Sequence, residues 1–139
     1  MARQLVAKFL VCLFIVLGTG CTNEGQLNES DLHGYFEAWS ANDADKLMTY
    51  FGENILYEDV MTGESSTGHE KVLVFVQKFL ADNPGVKLTP NNIAITNSDA
   101  TTEWTMSAGA GDEAWSVRGV SIMEHNNGKI IRVTDYWDD

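Results

Sequence analysis

At Asn83-Pro84-Gly85 the hydrophobic period of the chain changes, and that change limits the folds open to it. Upstream, Leu32, Tyr35, Phe36 and Trp39 fall at i, i+3, i+4 and i+7, one apolar stripe of a helix with Asn28 or Ser30 as N-cap. Asn42 or Asp43 caps a shorter helix whose inner face is Leu47, Met48 and Phe51. A strand is expected over Asn54 to Val60, then a polar loop from Thr62 to Ser66. Thr67-Gly68-His69-Glu70 reads as a capping box for a third helix that carries Val72, Phe75, Val76 and Phe79 inward. Beyond Gly85 the residues alternate: Val86 to Thr96, Thr101 to Ser107, Ala114 to His125 and Lys129 to Asp138 read as four successive strands. Three N-terminal helices followed by a meander argue for an α+β fold and against a parallel sheet.

The last turn allows side chains to be placed. Asn127-Gly128 is a strong signal for a two-residue type I′ hairpin, in which Asn126 pairs with Lys129. Continued without interruption, that ladder sets Ile122 opposite Val133, Val120 opposite Asp135 and Arg118 opposite Trp137. Directly opposed residues share a face. Arg118, Val120, Ile122, Ile131, Val133, Asp135 and Trp137 are therefore expected on one mainly apolar surface, with Arg118 and Asp135 as diagonal partners.

The N-terminus carries a different message. Arg3 and Lys8 precede an apolar run from Phe9 to Leu17, shorter than a membrane span, and small residues follow. Leu17-Gly18-Thr19-Gly20-Cys21 resembles the bacterial lipobox, which implies a signal peptide over residues 1–20 and lipidation at Cys21. The resemblance implies an envelope protein anchored to a membrane through fatty acyl chains such as palmitate. Thr22 after the cysteine implies the outer membrane, facing the periplasm, if the cell is double-membraned. Residues 21–27 then form a tether, polar from Cys21 to Gln26, and 28–139 the folded domain. Cys12 leaves with the signal and Cys21 takes lipid, so no disulfide is expected. Without Arg3 and Lys8, seven basic residues face twenty acidic ones, a net charge of −13 on the remaining 119 residues. Such a surface repels phosphate backbones and makes nucleic acid an improbable partner.

The order of elements, with Tyr35 and Trp39 in a first helix, Asn42-Asp43-Ala44-Asp45 before the second, Tyr57-Glu58-Asp59-Val60 on a strand, Gly68 opening the third helix and the terminal Thr134-Asp135-Tyr136-Trp137-Asp138, resembles the nuclear transport factor 2-like superfamily. Within it the chain is most similar to SnoaL-like and ketosteroid isomerase-like domains, over about Asp31 to Asp138. The resemblance implies helices packed on a strongly curved, mainly antiparallel sheet, a cone enclosing an apolar pocket. That superfamily holds enzymes and non-enzymes, so function must be argued from the pocket. Tyr35 matches the oxyanion-donating tyrosine of ketosteroid isomerases and Asp59 their general base. Their second aspartate falls near Val120, where only Arg118 and Ser121 are polar. Asp135 resembles the late-strand aspartate of limonene epoxide hydrolases, but their Arg-x-Asp element has no counterpart in Thr102-Glu103-Trp104-Thr105-Met106. Polyketide cyclases of this family use a pocket aspartate, a role open to Asp59 or Asp135.

The candidate catalytic residues are therefore Asp59, Asp135 and Tyr35, and the candidate binding residues are Arg118, Trp104, Trp137 and Tyr57. Each has a plain structural alternative. Asp59 can cap a loop, Asp135 can form a buried pair with Arg118, and Tyr35 can be a core ring. His33, His69 and His125 lack ligand spacing, so neither a metal nor another cofactor is expected. Two functions follow: a non-catalytic pocket for a small apolar molecule or in aid of a partner, favoured because neither catalytic set is complete, or a cofactor-independent acid/base isomerase, cyclase or epoxide hydrolase. A homodimer is a further possibility.

Overall fold

The computed structural model of the chain describes residues 25–138. The signal segment and Cys21 lie outside those residues. The elements are α1 (Glu29–Ser40), α2 (Ala44–Met48), β1 (Phe51–Asp59), β2 (Glu64–Thr67), α3 (His69–Asp82), β3 (Lys87–Ile95), β4 (Asp99–Ala108), β5 (Trp115–Asn126) and β6 (Lys129–Asp138), with a single 3-10 turn, Gly111–Glu113, before β5. The fold is α+β: three helices and a six-stranded sheet of order β2-β1-β6-β5-β4-β3. β1 and β6 run parallel and all other neighbours antiparallel. Among the described residues no helix is long and apolar enough to cross a membrane.

Local chemistry explains the ends of α1. Asn28 and Asp31 form a reciprocal capping box, each side chain accepting from the other's backbone N–H. At the other end Asn42 adopts φ 58°, its N–H donates to Trp39 O and that of Asp43 to Ala38 O. That is a Schellman closure with asparagine in the left-handed position. Leu32, Tyr35, Phe36 and Trp39 are buried as the stripe requires, against Leu47 and Met48 of α2 and Phe51, Ile55 and Tyr57 of β1.

The structure corrects several expectations. α3 is not N-terminal with the other two helices, because β1 and β2 come between them. Phe51 opens β1 instead of closing α2, and the expected polar loop contains β2, which pairs Asp59 with Glu64 and Leu56 with Thr67. A four-residue polar edge strand carries no apolar alternation by which to read it. The capping box before α3 does not form: Thr67 ends β2, and Gly68, at φ 89°, is an N-cap without a side-chain bond. The sheet is an open layer with edges at β2 and β3, not the strongly curved cone, because those two strands lie at opposite ends of the order and have no partner in each other.

The hairpin correction matters most. Asn127 and Gly128 have φ 49° and 71°, as a type I′ turn requires, and Asn126 does pair with Lys129. A bulge then intervenes between Glu124 and His125, so that His125 faces Ile130 but Glu124 faces Arg132. Past it the register is Met123 with Val133, Ser121 with Asp135, Gly119 with Trp137 and Arg118 with Asp138. One extra residue reverses the faces of everything beyond it. Met123, Ser121, Val133 and Asp135 are buried, whereas Arg118 and Ile122 are exposed on the other side.

Candidate functional site

Asp59 ends β1, Asp135 lies near the end of β6, and the parallel pairing sets them side by side. Both are buried, at 7% and 8% exposure. Tyr57, two residues before Asp59, shares its face and donates its hydroxyl hydrogen bond to Asp135 Oδ2. Ser121, opposite Asp135 on β5, donates to Oδ1 at 2.5 Å. The Trp104 indole N–H of β4 donates in turn to Ser121 Oγ at 2.9 Å. This chain of donors requires Gly119: a β-carbon there would lie 2.3 Å from Trp104 Cη2, so only glycine lets the indole lie across β5. Asp59 is held separately, its Oδ1 accepting from Trp137 Nε1 and from the Thr62 backbone N–H, each at 3.1 Å.

Burial dominates the electrostatics. It pushes the Asp135 carboxyl up to about 6, assisted by the neighbouring Asp59 and opposed by the hydrogen bonds from Ser121 and Tyr57. Burial likewise pushes the phenols of Tyr57 and Tyr35 well above the ordinary tyrosine range, with the charge of Asp135 adding to it.

Two spaces that share part of their lining adjoin Asp59, and the inner of the two also adjoins Asp135. An outer cleft of about 1010 Å³ opens between α3 and the sheet, walled by Phe75, Phe79, Met106, Trp115 and Trp137, with Asp59 at its inner end. Asp59, Phe75, Phe79, Met106 and Trp137 also line an inner pocket of about 30 Å³, whose remaining wall includes Trp39, Tyr57, Trp104 and Asp135. Glu64, Glu70, Asp82, Lys71 and Lys78 stand along the outer cleft, with Lys78 tied to Asp82 at 2.6 Å.

Of the candidate residues, the structure brings Asp59, Asp135, Tyr57, Trp104 and Trp137 together. Tyr35 lies behind them in the core, its ring edge-on to Phe36, Trp39, Tyr50 and Phe51, and lines neither space. Tyr57 is instead the phenol that meets a carboxylate. Arg118 does not pair with Asp135: the bulge at Glu124/His125 sends it to the outer face, beside Glu103 and Tyr136. Ser121 joins the site unexpectedly, since an uninterrupted ladder turns it away from Asp135, whereas past the bulge it pairs with Asp135 on the face of Gly119 and Met123. Two histidines hydrogen-bond to backbone carbonyls, His69 Nε2 lying 3.0 Å from Met48 O and His125 Nε2 3.1 Å from Thr96 O.

The family model for the SnoaL-like domain matches residues 32–133. Among solved structures, the chain is similar to a hypothetical protein with a ketosteroid isomerase-like fold from Catenulispora acidiphila, in complex with trimethylamine: 18% identity, TM-score 0.71, covering 78% of this chain and 85% of that one. It is similar to an LEH-like epoxide hydrolase from M. tuberculosis, with 18% identity, TM-score 0.67 and coverage of 78% and 80%. It is also similar to an NTF-2 like protein of unknown function from Burkholderia xenovorans, with 22% identity, TM-score 0.64 and coverage of 79% and 81%. At these identities the likeness is one of fold. A comparison with curated proteins finds no match.

Proposed function

We propose that this chain, which belongs to the SnoaL-like domain family, is a lipid-anchored envelope protein whose cleft binds a small, largely apolar molecule without transforming it. The observation that carries this reading is that the donors around the two carboxylates are already engaged. Trp104 donates to Ser121, Ser121 and Tyr57 to Asp135, and Trp137 and the Thr62 backbone to Asp59. A catalyst that raises negative charge on its substrate needs preorganised donors aimed at that charge. The inner pocket beside these groups measures about 30 Å³. Such a space admits roughly one or two waters and no substrate. The outer cleft, in contrast, is large enough for a drug-sized apolar body.

The anchor rests on the apolar run from Phe9 to Leu17 and the lipobox ending at Cys21. Gly25 lies against the turn at Gly128, at the opposite end of β6 from Asp135, so a tether leaves the domain on the side away from the cleft. In this proposal the cleft faces the periplasm and away from the outer membrane. Exposed Ile122 and Tyr136 on the outer face of β5 and β6 support a second copy or a partner protein docking there.

A second reading has one observation in its favour. A carboxyl held at about 6 can exchange a proton near neutrality, which suits Asp135 to cofactor-independent acid/base catalysis, with Asp59 placed beside it by the parallel register. The two readings separate with one ketone, 4-phenylbutan-2-one, added to the detergent-solubilised full chain in heavy water. Binding predicts saturable quenching of tryptophan fluorescence with no acceleration of deuterium uptake at the α-carbons. Accelerated uptake that disappears in Asp59→Asn or Asp135→Asn would establish the enzyme instead. Fractionation of cells tests the anchor: Cys21→Ser should move the protein from the membrane to the soluble fraction, and equal retention would refute it.

A further inference from the structure

Asp59 is buried, and while its Oδ1 accepts two hydrogen bonds, no described residue donates to its Oδ2. Asp135 stands next to it in the parallel register, and no described Lys, Arg or His forms an ion pair with either carboxylate. Two adjoining buried carboxylates without a cation are costly to maintain. The space they border is lined by the aromatic residues Trp39, Tyr57, Phe75, Phe79, Trp104 and Trp137. Aromatic rings attract a cation through their quadrupole, and more strongly where water is excluded. Along the outer cleft Asp59, Glu64, Glu70 and Asp82 face only Lys71 and Lys78, and the whole chain carries a net charge of −11. Both fields draw cations inward and repel anions.

We infer that the cleft selects an organic cation, an apolar molecule whose ammonium group seats on Asp59 Oδ2 at the aromatic neck between the outer cleft and the inner pocket. This rests on the binding reading above and names the chemical class of its ligand. With the neighbouring donors engaged, what the neck offers is acceptor oxygen and aromatic surface. A protonated amine supplies the complement to both, a neutral alcohol only a single hydrogen bond, and a carboxylate meets repulsion.

Isothermal titration calorimetry of the detergent-solubilised full chain with three molecules of one skeleton tests this: 4-phenylbutylamine, 4-phenylbutan-1-ol and 4-phenylbutanoate, at pH 7.5. The amine is expected to bind at least about tenfold more tightly than the alcohol, with the acid weakest. Asp59→Asn should remove the amine's advantage over the alcohol, because the amide carries no charge for the ammonium while its oxygen still accepts from Trp137 and Thr62. The wild-type ranking decides the matter even if that variant fails to fold. Equal binding of amine and alcohol, or tightest binding of the acid, would overturn the cation inference and leave the pocket reading standing. Absence of binding by all three would overturn both.

Discussion

Glu58 and Asp59 are consecutive residues on one strand, and the sheet gives them opposite circumstances. Glu58 faces outward, where Arg132 lies 3.2 Å away and Thr134 Oγ1 also donates to it, and Arg132 reaches Glu124 as well. Those two carboxylates raise the affinity of Arg132 for its proton. Asp59 faces inward beside Asp135, in the drier environment, with no cation from the described residues. If stability alone had arranged the charges, the basic side chain would be more valuable inside, since exposed pairs contribute little. The contrast is between charge paired on the exposed face and charge left without an ion pair at the cleft, which is the arrangement the proposed cation site uses.

Disturbing the inner network should therefore cost more than disturbing the outer pair. Gly119→Val drives a branched side chain into the Trp104 indole and should cost about 3 kcal/mol in denaturant unfolding, with loss of the Trp104 to Ser121 bond. A loss below about 1 kcal/mol would mean that the indole has other room. The acidity of Asp135 gives an effect of similar size. The folded carboxyl keeps its proton up to about 6, whereas an unfolded one releases it near 3.8. The folded state thus binds more protons within that window, and this contribution to stability, complete below it, is lost as pH rises through about 6. The loss is roughly 2 to 3 kcal/mol. Relative to Asp135→Asn, the wild type should lose about that much stability between pH 4 and 7, and parallel profiles would contradict the shift.

Smaller changes sharpen the contrast. Tyr57→Phe removes one of two donors to Asp135 and should cost about 1.5 to 2 kcal/mol near neutral pH, while moving the Asp135 titration upward. Arg132→Met, on the exposed face, should cost less than Tyr57→Phe, and less still in 1 M salt. A larger loss for Arg132→Met than for Tyr57→Phe would invert the comparison.

Much of this was legible beforehand because it rests on local chemistry. The stripe from Leu32 to Trp39, the Asn28 cap, the Asn127-Gly128 turn and the aspartates of β1 and β6 each declare themselves within a few residues. What was misread depends on longer-range pairing. The bulge at Glu124/His125 leaves no compositional mark, yet it exchanges Arg118 for Ser121 as the companion of Asp135. Before it is known, Ile122 looks like core and Ser121 like surface. β2 was illegible for another reason: Glu64 to Thr67 hold their place by pairing with β1, not by burial. The oxyanion role of Tyr35 is what the resemblance to ketosteroid isomerases implies, whereas its ring packs among Phe36, Trp39, Tyr50 and Phe51 and it is Tyr57 that lines the inner pocket.

The direct test of the unbalanced site is the carbon-13 carboxyl resonance of Asp59 compared with that of Glu58, followed while 4-phenylbutylamine is added to the full chain. The account predicts a saturable shift at Asp59 with Glu58 unmoved, since only the inward carboxylate lacks a cation of its own. Matching shifts at both, or none at Asp59 while the amine binds, would contradict it.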